Sequence, residues 1–100
     1  MKIYRQGDVL ITDAFIPTNA RPVEVKDRVI LAEGEVTGHA HAIVADDCEM
    51  YEAGGSYYIH VNKDTQILHE EHAPINLPAG NYAVIRQREY RPEENIRVAD

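Results

Sequence analysis

The chain has 100 residues and a formal net charge of −7, with 10 lysines and arginines against 17 aspartates and glutamates. This length suits one domain, and the acidic balance argues against sequence-independent nucleic-acid binding and against docking on an anionic membrane surface. The single cysteine, Cys48, excludes an intramolecular disulfide framework and a cysteine-cluster zinc site. No apolar run is long enough to span a bilayer, and the polar N-terminal residues are unlike a signal peptide. We therefore expect a cytoplasmic protein.

Short β-branched runs, separated by turn residues, recur about every ten positions. This spacing predicts an all-β fold: a small single-domain barrel or roll of about six to eight short antiparallel strands, closed or nearly closed, with little or no helix. The predicted strands are 9–12, 29–31, 40–44, 57–61, 65–69 and 82–88.

The segments between these strands have their own signals. Residues 13–28 carry two prolines among mixed charges, which predicts a long connection, and a short helical turn fits residues 46–52. The β domain is predicted to cover residues 1–90. Residues 91–100 form a charged C-terminal tail, in which Pro92 disfavours a central strand.

The most informative pattern is the His-x-His pair formed by His39 and His41. Alternate side chains of a strand share one face, which puts these imidazoles about 6.5–7 Å apart along the chain. Two such rings can bind one metal ion at about 2.0–2.1 Å per bond once they converge. Gly38 permits a bend before the pair, and Glu35 supplies a carboxylate within reach if residues 35–38 form a turn. As strand-end residues, both histidines are expected to be partly exposed.

A second pair of histidines, His69 and His72, follows the predicted strand 65–69. A turn after strand 57–61 would fold strand 65–69 back onto it, which gives His69 the core-facing parity of Ile67. His69 is therefore expected to approach the His-x-His pair. His72 rejoins it only if the two intervening glutamates make a turn. The fifth histidine, His60, is expected to face outward.

This arrangement resembles the cupin superfamily, whose small β-barrels carry a His-x-His followed by a Glu, and a second motif that contains Pro-x-Gly. The matching elements here lie within residues 34–85: Gly34, His39-Ala40-His41, Glu49, Gly54 and Pro78-Ala79-Gly80. The resemblance implies a metal site at His39 and His41 in a β-barrel.

The sequence thus predicts a small metal-binding protein with His39, His41 and His69 as first-choice ligands, and His72 or Glu35 as the fourth. The ion is a divalent transition metal (zinc, nickel, iron or manganese), among which these donors do not discriminate. An open coordination position would suit Lewis-acid or water-activating chemistry, as in a cupin-like metalloenzyme, and the sequence leaves catalysis open. Expected partners are a metal ion or small molecule, with neither nucleic acid nor membrane; a homo-oligomer is compatible.

The competing hypothesis is a metal-free interaction module. In it the histidines are hydrogen-bonded structural residues, and an exposed sheet edge or the Arg86–Arg91 strand holds a partner or a second copy of the chain. Arginine offers a bidentate fork to a carboxylate or phosphate. Alternating charges are equally typical of an edge strand that is protected from pairing.

Overall fold

The computed structural model describes residues 2–34 and 38–86, which form antiparallel strands and one 3-10 turn, Ala45–Asp47. These residues contain ten strands: β1 (Ile3–Gln6), β2 (Val9–Asp13), β3 (Arg21–Pro22), β4 (Arg28–Glu33), β5 (Ala40–Val44), β6 (Cys48–Ala53), β7 (Ser56–Val61), β8 (Thr65–Ile67), β9 (Ile75–Leu77) and β10 (Gly80–Arg86). Within the described ranges, no helix is long and apolar enough to cross a membrane.

Six strands form the main sheet, in the order β1-β2-β10-β7-β6-β3. Ile11 of β2 pairs with Val84 of β10, and Ile59 of β7 pairs with Tyr82 of β10 and Met50 of β6. All five of these side chains are buried. Buried positions recur at every second residue along β2 and at the end of β7, as expected for a sheet that covers the core with one face.

Two smaller strand pairs, β4 with β5 and β8 with β9, complete the core. Their buried side chains belong to the same apolar cluster as those of the main sheet: Val29, Leu31, Ile43, Ile67 and Leu77. Burying a side chain of this size fully contributes about 1.5–3 kcal/mol. The three sheets are therefore held together by one shared core.

A corner of the molecule joins three segments that are remote in sequence. Ala42 of β5 and Leu68, just after β8, form an isolated antiparallel bridge, with hydrogen bonds of 2.9 and 2.8 Å between their backbones. The β1–β2 turn lies against the same region, where Gly7 adopts a φ of +59° and a Cβ placed on it would meet histidine rings. We call this region the histidine corner; it comprises Gln6–Asp8, Gly34, His39–His41 and Ile67–Ala73.

The all-β class, the antiparallel pairing and the near absence of helix are confirmed. The described residues contain ten strands rather than about six to eight, because β1, β3, β6 and β9 are absent from the prediction. These strands separate into three sheets and, over residues 2–34 and 38–86, do not close a barrel. The predicted helical turn is only the 3-10 turn before β6. The predicted tail, 91–100, lies outside the described residues.

The predicted hairpin between strands 57–61 and 65–69 is wrong. β7 pairs with β6 on one side and β10 on the other, and β8 pairs with β9. Because both edges of β7 are already hydrogen-bonded, it has no edge left for β8.

Candidate functional site

Four imidazole rings converge at the histidine corner. His39 precedes β5, His41 lies within it, and His69 and His72 lie in the loop between β8 and β9. Ring centroids are 4.3 Å apart for His41 and His69, 4.6 Å for His69 and His72, 5.6 Å for His41 and His72, and 5.8 Å for His39 and His69. The predicted approach of His69 to the His-x-His pair is therefore confirmed. It occurs through the bridge between β5 and Leu68 rather than through the predicted hairpin.

Two glycines make room for these rings. A Cβ on Gly7 would lie 2.9 Å from Nε2 of His72 and 3.2 Å from Cε1 of His41. A Cβ on Gly34 would lie 3.0 Å from Nε2 of His69 and 3.0 Å from the Cβ of His39. A side chain at either position would therefore displace the neighbouring rings, and Gly7 also has a positive φ, which favours glycine.

His39 presents a buried nitrogen toward the loop. Its Nδ1 has no hydrogen-bond partner among the described residues and lies 3.7 Å from Oε1 of Glu71. His39, His69 and Glu70 each offer one ligand atom, and these atoms all lie within 4.8 Å of one another. A buried polar atom without a partner is costly, so this nitrogen is a suitable donor for an ion.

The Glu70 carboxylate is held against the start of β5. Its Oε1 accepts the backbone N–H of Ala40 at 3.0 Å, and this bond is the main reason that the pKa of Glu70 lies below its ordinary value. Neighbouring His39 and His69 lower the pKa further. The histidine corner therefore contains a negative charge at neutral pH.

His69 is fixed by its own loop. Its Nδ1 accepts the backbone N–H of Glu71 at 2.9 Å, so the proton of the neutral ring resides on Nε2. Ligation through Nε2 would move that proton to Nδ1 and require Glu71 to release its bond. Metal binding by His69 is therefore coupled to a change at the Glu71 amide.

His41 is the most enclosed of the four rings, with a side chain only 2% exposed, whereas that of His39 is 24% exposed. Partial exposure is thus correct for His39 and wrong for His41, because the β1–β2 turn and the loop between β8 and β9 cover the latter. Nδ1 of His41 lies 2.8 Å from Oε1 of Gln6, and Nε2 lies 3.6 Å from Oδ1 of Asp8.

The other predicted residues have separate positions. Glu35 lies outside the described residues, so its predicted role remains a prediction. His60 and Glu49 are cross-strand neighbours in the main sheet, where His60 Nδ1 lies 2.7 Å from Oδ1 of Asn81 and Glu49 accepts the Tyr51 hydroxyl at 3.1 Å. Neither belongs to the four-ring group.

Sequence reasoning missed Glu70, Gln6 and Asp8. Glu70 stands between the two loop histidines, and its proximity to them in sequence was the available signal. Gln6 and Asp8 flank a glycine in a tight turn. No local sequence pattern indicates that they contact His41, which lies more than 30 positions further along the chain.

A cleft of about 600 Å³ shares Asp8 with the histidine corner. Its other lining residues are Val23, Ile30, Ala32, Glu33, Met50, Tyr57 and Arg86. Arg86 donates its Nε–H to the carbonyl of Leu31 at 2.7 Å, and its guanidinium lies 4.5 Å from the centre of the Tyr57 ring. This arginine of the predicted Arg86–Arg91 strand therefore ties β10 to β4 and β7, and residues 87–91 of that strand lie outside the described part of the chain.

Comparison with known proteins identifies a family. Residues 5–87 match the model of a family described as a domain of unknown function, DUF8820. The chain belongs to the DUF8820 family. The matched range contains the four converging histidines together with Gln6, Asp8 and Glu70. Searches of curated proteins and of solved structures gave no match. The resemblance to cupins stays a prediction.

Proposed function

We propose that this DUF8820 domain binds one divalent transition metal ion at the histidine corner. The observation that carries the proposal is the convergence of four imidazoles from residues 39–41 and the β8–β9 loop, in which four ring pairs have centroids 4.3–5.8 Å apart. Two imidazoles that share an ion at about 2.0–2.1 Å per bond have ring centres about 5 Å apart. The observed separations are therefore close to those that a shared ion requires.

The donor set supports this assignment. His39, His69 and Glu70 form the compact ligand group, and His39 contributes the buried nitrogen that lacks a hydrogen-bond partner among the described residues. His41 and His72 lie next to this group as further ligands. Imidazole and carboxylate donors suit zinc, nickel, iron and manganese alike. The only cysteine is a buried free thiol in β6 and supports the reducing cytoplasm as the proposed compartment.

The test is metal binding by protein prepared without a polyhistidine tag and stripped with a chelator. Titration with Zn²⁺, Ni²⁺, Mn²⁺ and, without oxygen, Fe²⁺ should give one ion per chain for at least one metal. The double variant His39→Ala/His69→Ala should lose this binding. His60→Ala is the matched control, because it removes a histidine of the main sheet and should retain full stoichiometry.

Two outcomes would contradict the proposal. One is the absence of binding of all four metals by the folded parent protein. The other is equal loss of binding in His60→Ala and in the double variant, since this would indicate ligation outside the histidine corner.

A further inference from the structure

Gln6 and His41 are the buried polar side chains among residues 2–34 and 38–86, and they are in direct contact. Gln6 ends β1, immediately before the β1–β2 turn, and is 3% exposed. A buried amide is retained at low cost only when its donors and acceptor are satisfied. The hydrogen-bond partners of Gln6 therefore indicate its structural role.

The amide of Gln6 has a defined orientation. Its Nε2 donates one N–H to the carbonyl of Ile67 at 3.0 Å and the other to the carbonyl of Ala73 at 2.9 Å. Both of these partners are pure acceptors, so the group that faces them must be the NH₂ group. Oε1 consequently faces His41.

This orientation fixes the proton on His41. Oε1 of Gln6 can only accept, so Nδ1 of His41, at 2.8 Å, must donate. In the neutral ring the lone pair is then on Nε2, the nitrogen that lies 3.6 Å from Asp8. A histidine whose remote N–H is held by a fixed acceptor is the usual arrangement of a metal ligand.

The same side chain clamps the loop that carries His69, Glu70 and His72. Ile67 and Ala73 bracket the segment containing His69 and His72, and both of their carbonyls bind one nitrogen of Gln6. The amide of Gln6 thus closes the loop that contains His69 and His72, and it also sets the tautomer of His41.

We propose that Gln6 is the positioning residue of the metal site, which holds His41 as its Nδ1–H tautomer so that Nε2 is the ligating atom, and closes the loop of His69 and His72. This role rests on the proposed metal-binding function. Beyond that function, the role specifies Nε2 of His41 as the ligating atom, and it makes Gln6 a residue that acts on the site without touching the ion.

The first measurement uses the unaltered protein without metal. Long-range ¹H–¹⁵N correlation spectra at about pH 8, where histidines are ordinarily neutral, distinguish the protonated from the unprotonated ring nitrogen. The signals of His41 are assigned by their loss in His41→Ala. We expect a protonated Nδ1; a proton resident on Nε2 would overturn the proposal.

The second measurement compares two glutamine variants. Gln6→Leu should shift the His41 tautomer toward a mixture and weaken Zn²⁺ binding about 10–100-fold, the usual effect of removing a partner of a ligand. Gln66→Leu is the control: this exposed glutamine of β8 bonds Asn76, and its loss should change neither property. Unchanged tautomer and affinity in Gln6→Leu would refute the positioning role.

The failures of the two proposals are distinguishable. If the parent protein binds none of the four metals but His41 carries its proton on Nδ1, the metal-binding function fails while the tautomer assignment stands. If the parent binds Zn²⁺ and His41 carries its proton on Nε2, the role of Gln6 fails while the metal site stands. The spectrum of the unaltered protein decides the assignment even if Gln6→Leu does not fold.

Discussion

In the main sheet, neighbouring strands bring buried apolar side chains together, whereas the histidine corner brings together imidazoles, an amide and carboxylates. Ile11 and Ile59 are 0% exposed and pack within one continuous core. The histidine corner instead depends on a few directed contacts, among them the bonds of Gln6 and of Glu70 to backbone atoms. Apolar packing tolerates small shifts, but hydrogen bonds between rings and amides do not.

The difference teaches that stability and chemistry are separated in this small domain. The shared apolar core contains none of the four histidines. The histidine corner can then retain a buried nitrogen without a described partner, together with two glycines that leave space. Variants in one region should therefore change different properties from variants in the other.

The largest expected effect is a core truncation in the main sheet. Ile59→Ala removes a fully buried side chain from the centre of β7 and should lower the free energy of unfolding by about 2–5 kcal/mol. Zn²⁺ affinity, measured where the variant is folded, should be unchanged. Urea unfolding and a zinc titration test both parts, with Ile59→Val as the milder substitute. A variant that remains stable but loses zinc binding would refute the separation.

Zinc should stabilise the protein through the histidine corner alone. An ion bound only by the folded state at a hundredfold excess over Kd contributes about 2.7 kcal/mol. In a domain of this size the melting temperature should rise by about 10 °C or more. His39→Ala/His69→Ala should abolish the rise and His60→Ala should preserve it, as followed by thermal melting with and without Zn²⁺. An equal rise in the double variant would place the ion elsewhere.

Two glycines with nearly the same φ distinguish backbone strain from crowding by the histidine rings. Gly7 has a φ of +59° and Gly54 a φ of +58°, but a Cβ contacts histidine rings only at Gly7 and meets nothing within 4 Å at Gly54. Alanine at either position should cost about 1–2 kcal/mol in unfolding free energy because of the positive φ. Only Gly7→Ala should also weaken Zn²⁺ binding. Equal zinc affinities in the two variants would show that the space at Gly7 is unimportant.

The smallest expected effect is pH-dependent and involves Asp47 and Thr65, which lie outside the histidine corner. The Thr65 hydroxyl donates to Asp47 at 2.7 Å and, with Lys63, lowers the pKa of that carboxyl below its ordinary value. A lowered pKa in the folded state adds stability above the ordinary carboxyl range, and this contribution disappears as the pH falls through the folded-state value.

Thr65→Val should therefore reduce the free energy of unfolding at pH 7 more than at pH 3. Urea unfolding of parent and variant at both pH values measures this difference, and subtracting the two chains cancels the common titration of the histidines. A loss that is the same at both pH values would show that the hydrogen bond does not act through the carboxylate charge.

Local patterns predicted the strands whose side chains alternate or are β-branched. The predicted runs at 9–12, 40–44 and 57–61 correspond to β2, β5 and β7. Strand β6 also alternates buried and exposed residues at its start, at Cys48, Glu49 and Met50. Residues 46–52 were nevertheless predicted as a helical turn. Strand pairing was harder to predict from the sequence, because the partner of a strand depends on the whole sheet rather than on the residues of that strand.

In the candidate site, too, local patterns were predictive and long-range contacts were not. Parity placed His39, His41 and His69 together, and the turn between His69 and His72 adds the fourth ring. The predicted partner of strand 65–69 was wrong, yet the approach of His69 was correct because Leu68 pairs with β5. Gln6 had no signal in the sequence: a polar residue near a turn is ordinarily solvent-exposed, and its burial depends on contacts across more than 60 positions.

The long range of the Gln6 contacts has a kinetic consequence. Gln6 meets Ile67 and Ala73 across separations of 61 and 67 positions, and such contacts form only after the intervening chain has been ordered. An ion bound at this corner, as we propose, would find its complete set of ligands late in folding. It would therefore leave the folding rate nearly unchanged and slow unfolding, because interactions absent from the transition state act on that step. Such an ion would be released no faster than the corner opens.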